Sequence, residues 1–95
     1  MIRSLIIAVV AMAFAGQASA ACYADYKAKR NDPLRLHYGV IELPDAACAS
    51  KSDASRQIAD RLARADWKLL NVVSIFGPEG LDQRKESAGE YFLRF

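Results

Sequence analysis

The first twenty residues decide how little chain there is to fold. Met1-Ile2-Arg3-Ser4 is a short positive start, Leu5 to Ala15 is an unbroken apolar run, and Gly16-Gln17-Ala18-Ser19-Ala20 ends in an A-x-A pattern. This is the three-part layout of a secretory signal peptide over residues 1–20, with cleavage expected between Ala20 and Ala21. The 11 apolar residues from Leu5 to Ala15 fall short of a membrane-spanning helix, which needs roughly 20. The expectation is an exported protein, periplasmic or extracellular in a bacterium, with no transmembrane segment after cleavage. What remains, Ala21 to Phe95, is 75 of the 95 residues. That is a single small domain near the lower limit for a self-sufficient core.

The mature part holds two cysteines, Cys22 and Cys48. In an oxidising compartment an even pair argues for a disulfide. Closing such a loop stabilises a fold by roughly 3–4 kcal/mol on the chain-entropy model. An alternative concerns Cys22 alone. Bacterial lipoproteins carry small residues before a lipidated cysteine, as in Ser19-Ala20-Ala21-Cys22, although Ser19 stands where a Leu-like residue is usual. That reading makes a lipid-anchored envelope protein and leaves Cys48 without a partner.

Charge excludes some partners. The mature part keeps 12 of the 13 Lys and Arg and all 11 Asp and Glu. Such a balance gives no basis for nucleic-acid binding, and no block of like charges forms a polybasic anchor or an acidic tail.

The pattern along the chain is mixed. Cys22 to Asp32 is polar, with Tyr23 and Tyr26 at helical spacing, and reads as a short helix or irregular lead-in ending at the Asn31-Asp32-Pro33 turn signal. Leu34 to Leu43 alternates as a strand, with a parity change after Gly39 that predicts a β-bulge. Asp53 to Ala65 predicts a helix capped by Ser52 or Asp53, with Ala54, Ile58, Leu62 and Ala65 on one stripe. Trp67 to Phe76 is rich in β-branched and aromatic residues and apolar on both faces, as in a central or covered strand. Gly77 to Gly89 reads as a long connection, with a turn at Gly77-Pro78-Glu79-Gly80 and a polar Leu81 to Gly89 that has room for a helical turn, and Glu90 to Phe95 reads as a last short strand.

The fold class expected is α+β. A small three-stranded, mostly antiparallel sheet in β-α-β-β order carries one helix on one face. The last strand lies between the other two in a split β-α-β arrangement. One helix cannot cover the second, partly apolar sheet face. Self-association or a protein partner through that face is therefore expected.

Three stretches resemble a widespread family of small β-α-β-β proteins described as a domain of unknown function. Tyr38-Gly39-Val40-Ile41-Glu42-Leu43 is similar to its Y-x-V-x-E-L opening. Leu62 to Val73 is similar to its G-W-x-L-x-x-V centre, and Tyr91-Phe92-Leu93-Arg94 to its Y-x-L-x-R ending. Asp66 departs from the pattern, since a glycine usually precedes the Trp. The resemblance covers Leu34 to Phe95. It implies the fold of that segment and brings no catalytic residue.

Candidate chemistry is sparse. His37, the single histidine, falls off the apolar face of its strand and reads as exposed. An enzyme using it requires a nucleophile or carboxylate nearby. Cys22, His37 and Cys48 match no zinc spacing, so no metal or other cofactor is expected and no catalytic residue is assigned. Arg84-Lys85 with Arg94 forms a small basic patch, neutralised by Asp82, Glu86 and Glu90. The function expected is a non-catalytic binding or assembly module, acting through the uncovered sheet face or the Gly77–Gly89 connection.

Overall fold

The computed structural model describes Cys22 to Phe95; the leader and the Ala20–Ala21 junction lie outside the described residues. The chain is α+β. Strands β1 (Cys22–Arg30), β2 (Arg35–Leu43) and β3 (Lys68–Phe76) form an antiparallel sheet in the order β2-β1-β3. Helix α1 (Lys51–Ala63) joins β2 to β3, and a short helix α2 (Asp82–Ala88) follows β3. No described helix is long and apolar enough to cross a membrane.

The split β-α-β arrangement is present, but a different strand fills its centre. The element order is β-β-α-β, and the inserted strand is the N-terminal Cys22–Arg30, read from sequence as a helix or lead-in. Its inward residues Ala24, Tyr26 and Ala28 are fully buried. This is a period of two whose small members have low strand propensity and hide the signal. The core therefore starts at Cys22, not at Leu34. The expected last strand, Glu90–Phe95, does not form. Gly89 and Leu93 take positive φ (55° and 57°), which breaks extension. Among the described residues, its one backbone pairing with the sheet is a parallel bridge from Phe92 to Val40.

The bulge expected at Gly39 is absent, since β1 and β2 pair without a break from Cys22–Leu43 to Arg30–Arg35. Gly39 faces Tyr26 directly, and a Cβ there would stand 2.5 Å from the Tyr26 hydroxyl oxygen. The bulges lie in β3 instead. The β1–β3 register slips between Asp25 and Tyr26 and again between Lys27 and Ala28, leaving Val73 and Leu70 as extra residues. Each slip resets the parity of β3. Trp67, Leu69, Val72 and Ile75 thereby share the core face. The two-sided apolarity of this strand comes from the slips, because Leu70 and Val73 point away from the core and stay exposed.

Helix α1 buries Ala54, Ile58 and Leu62 against the inner sheet face, on the expected stripe. It starts two residues earlier than the sequence indicates, because Ser50 is the cap and its Oγ accepts from the Asp53 N–H at 3.1 Å. It ends in a Schellman-type turn, with Trp67 N donating to Leu62 O and Asp66 N to Ala63 O, and Asp66 left-handed at φ 64°. Arg30, at the end of β1, donates to the carbonyls of Ala65 and Asp66 and lies over the Trp67 ring. Its cation also suits the negative end of the helix dipole.

Cys22 and Cys48 are joined as a disulfide, with Cα atoms 6.4 Å apart. It ties the start of β1 to the 3-10 turn Asp45–Cys48 ahead of α1. A Cys22 engaged in this way has no free thiol for an acyl chain.

Two stability outcomes follow. Asp66→Gly removes the left-handed cost of a side chain and is expected to raise unfolding free energy by up to about 1 kcal/mol in urea titration, while Asp66→Val lowers it. Cys22→Ala/Cys48→Ala is expected to lose roughly 3–4 kcal/mol in the same titration.

Candidate functional site

His37 is not where its strand pattern suggests. With no bulge at Gly39, His37 shares the parity of Gly39, Ile41 and Leu43 and turns into the core, 8% exposed. It shares a 2.9 Å hydrogen bond between Nε2 and the Tyr26 hydroxyl. The Tyr91 ring stacks on it at 3.8 Å, Trp67 meets it edge-on at 4.3 Å, and Phe95 lies at 6.0 Å. The C-terminal segment thus crosses the β2 edge to close an aromatic box around the imidazole. Arg61 holds that segment by donating to the Phe95 carbonyl. His37 Nδ1 is buried and unpartnered. Burial first, then the Arg30 and Arg94 charges against an opposing Glu90, lowers its pKa to about 4. This is a neutral packed ring with no carboxylate or nucleophile hydrogen-bonded to it, so the geometry gives no support to catalysis by His37. Nor do Cys22, His37 and Cys48 make a donor set, since the cysteines bond each other.

The second sheet face carries Tyr23, Asp25, Lys27 and Lys29 of β1. These residues point away from the buried Ala24, Tyr26 and Ala28. One half of it is covered by the Gly77–Gly89 connection, whose turn and helical segment are expected from the sequence but whose packing on the sheet is not. Gly77–Gly89 folds into a 3-10 turn (Pro78–Gly80) and α2, which packs on β2. Asp25 fixes it. Its carboxylate accepts from Tyr38 Oη (2.8 Å), Ser74 N (2.9 Å), Ser74 Oγ (2.7 Å) and Arg84 Nε (3.1 Å). Burial alone would raise the Asp25 pKa, but the hydrogen bonds from Ser74, Tyr38 and Arg84 bring it below the usual carboxylate range. Burial, then the bond to Asp25, pushes the Tyr38 phenol up to about 12. Arg84 also donates to Gly80 O at 2.8 Å and lies 3.9 Å over the Phe76 ring. It is therefore a structural clamp and not part of a solvated basic patch with Lys85.

The other half of that face is open. Lys29 sits directly opposite Leu36 on β2 and Lys68 on β3, while Lys27 sits opposite Tyr38 and Asn71. A shallow groove of about 330 Å³ crosses the strands here, with Lys27 between Leu36 on one side and Leu70 on the other. Leu36 is 66% exposed and Leu70 is 49% exposed. None of the ion pairs among the described residues involves Lys27, Lys29 or Lys68. Lys27 supplies the groove's one cation between the apolar Leu36 and Leu70, Lys29 and Lys68 stand beside it on the same face, and the His37 and Tyr38 that also line it are engaged with Tyr26 and Asp25.

A second groove of about 550 Å³ lies between α1 and β3, lined by Ala59, Ala63, Trp67 and Leu69 among others. It is open and mostly apolar, with Ser55, Arg56 and Lys68 also on its lining.

The second sheet face, expected to be wholly uncovered, is covered over one half by α2 and exposes Leu36 and Leu70 over the other. The missed residues are Lys27 and Lys29, which lie in the segment read as a lead-in, and Leu70, which a bulge turns outward. Period-two alternation across Ala24, Tyr26 and Ala28 is the signal that finds the two lysines. Comparison of the chain with family models, with curated proteins and with solved structures finds no match.

The aromatic box sets a pH dependence. The unfolded chain binds a proton on His37 near its ordinary pKa of 6.5, and the folded chain only near 4. Stability is therefore complete above about pH 6.5 and falls as pH drops toward 4. Asp25 adds its own loss only below its unfolded value of 3.8. Urea titrations between pH 7 and 4 are expected to show this slope, with His37→Gln flattening it. An unchanged slope in that variant contradicts the buried neutral imidazole.

Proposed function

We propose that the protein is an exported, non-catalytic binding module that docks an anionic, partly apolar partner on the open half of its second sheet face. The observation that carries this reading is the juxtaposition of Lys27, Lys29 and Lys68 with protruding Leu36 and Leu70 on rigid strands. Lys29 and Lys68 are direct cross-strand neighbours, and like charges so placed reduce stability. An anionic partner relieves that repulsion. A disulfide and the lack of a spanning helix among the described residues accord with export.

Self-association through the same surface is the weaker reading. Two copies facing each other through this surface bring two sets of three lysines together, and the Lys29–Lys68 repulsion already present in one copy is added to.

The probe that matches the site is anilinonaphthalene sulfonate, an apolar anion. The folded, oxidised protein is expected to bind it saturably at neutral pH, with Leu36→Ser/Leu70→Ser weakening binding at least tenfold while the circular dichroism spectrum is kept. No saturable binding, or equal binding by the double variant, overturns the proposal.

A further inference from the structure

We infer that the occupant of the open half-face is an anionic phospholipid surface, with Leu36 and Leu70 entering the headgroup layer and Lys27, Lys29 and Lys68 meeting the phosphates. This rests on the binding reading above and names its partner.

The charge is one-sided in a way the fold does not require. At this end of the sheet Lys29 faces Lys68 and Arg30 faces Arg35 in register. Arg30 is occupied by the helix carbonyls and the Trp67 ring. The three lysines have no such partner. At the covered end of the same face the one carboxylate of β1, Asp25, is saturated by four hydrogen bonds and cannot serve them.

Composition then selects the kind of anion. Protein–protein interfaces are depleted in Lys, and their strongest contacts favour Trp, Tyr and Arg. Single-stranded nucleic acid is held by exposed aromatic rings, and Tyr38, the aromatic residue lining this groove, is committed to Asp25. Lysines set beside protruding leucines are the composition of a surface that lies on a membrane. Leu34, 65% exposed just before β2, lies next to the patch and extends the apolar rim. The pairing of two weak signals, a few apolar side chains and a few cations, is also what reversible membrane binding requires.

The test uses the exported form, Ala21 to Phe95, with its disulfide intact and intact mass confirming that no leader remains. It is mixed with vesicles of phosphatidylcholine alone and of phosphatidylcholine with phosphatidylglycerol, and bound protein is measured by flotation. Binding to the anionic vesicles only, weakened by added salt, is expected. Each Lys→Gln change at 27, 29 or 68 is expected to cost about fivefold in affinity, and the triple change about a hundredfold. Leu36→Ser/Leu70→Ser is expected to cost at least tenfold. Lys27, Leu36, Lys68 and Leu70 are exposed and Lys29 is half-buried, and unchanged circular dichroism confirms the fold of every variant. Equal binding to both vesicle types, or anionic binding that none of these variants weakens, overturns the inference. Dye binding without vesicle binding overturns the bilayer as occupant, keeps the open face as a site and leaves an acidic protein segment as its ligand. Loss of both overturns the site itself.

Discussion

Among the described residues, β2 and β3 have no strand partner except β1. The sheet therefore exists only because Cys22–Arg30 lies between them, hydrogen-bonded on both edges. Everything else is referred to this strand. Its inward side chains, Ala24, Tyr26 and Ala28, alternate small and large. The two alanines leave room for α1, and Tyr26 reaches across Gly39 to the His37 ring. Its outward Asp25 clamps α2 through Arg84. Its first residue is cross-linked to the turn before α1, and its last, Arg30, closes the C-terminus of α1.

The same strand divides the second face into two unlike halves. Near its start, Asp25 gathers Tyr38, Ser74 and Arg84, and the short helix is held down over Val40, which is fully buried there. Toward its end, Lys27 and Lys29 stand beside Leu36, Lys68 and Leu70, and both leucines are exposed. The two bulges of β3 serve both ends of this arrangement. They keep Trp67, Leu69, Val72 and Ile75 on the core face while directing Leu70 and Val73 to solvent. They also disturb the outer edge of β3, and such irregularity discourages unwanted strand pairing. The proposed docking surface is thus built on three hydrogen-bonded strands, which set the relative positions of its lysines and leucines.

Much of this fold is legible in the residues. The Ala54–Ile58–Leu62 stripe places α1, the β-branched run places β3, and the cysteine pair is joined as expected. Left-handed Asp66 fulfils the helix-ending role that its position before Trp67 indicates. The errors have specific causes. Alanine-rich alternation in β1 carries a weak strand signal, so two tyrosines three apart read as a helical turn. Tyr91, Leu93 and Phe95 alternate like a strand, but Gly89 and Leu93 bend the backbone and long-range stacking on His37 takes the aromatic rings. His37 reads as exposed because the exposed Leu34 and Leu36 suggest the opposite parity. The open half-face was not legible at all, because it depends on register slips in β3 and on a helix clamp spanning Asp25 to Arg84.

The most direct measurement is residue-resolved hydrogen exchange on the oxidised protein at neutral pH. If β1 is the strand on which the sheet depends, the amides of Ala24 to Lys29 exchange among the slowest in the chain, at a rate set by global unfolding. Rapid exchange across Ala24 to Lys29, with β2, α1 and β3 still protected, would show a fold that stands without its central strand and would contradict this structure.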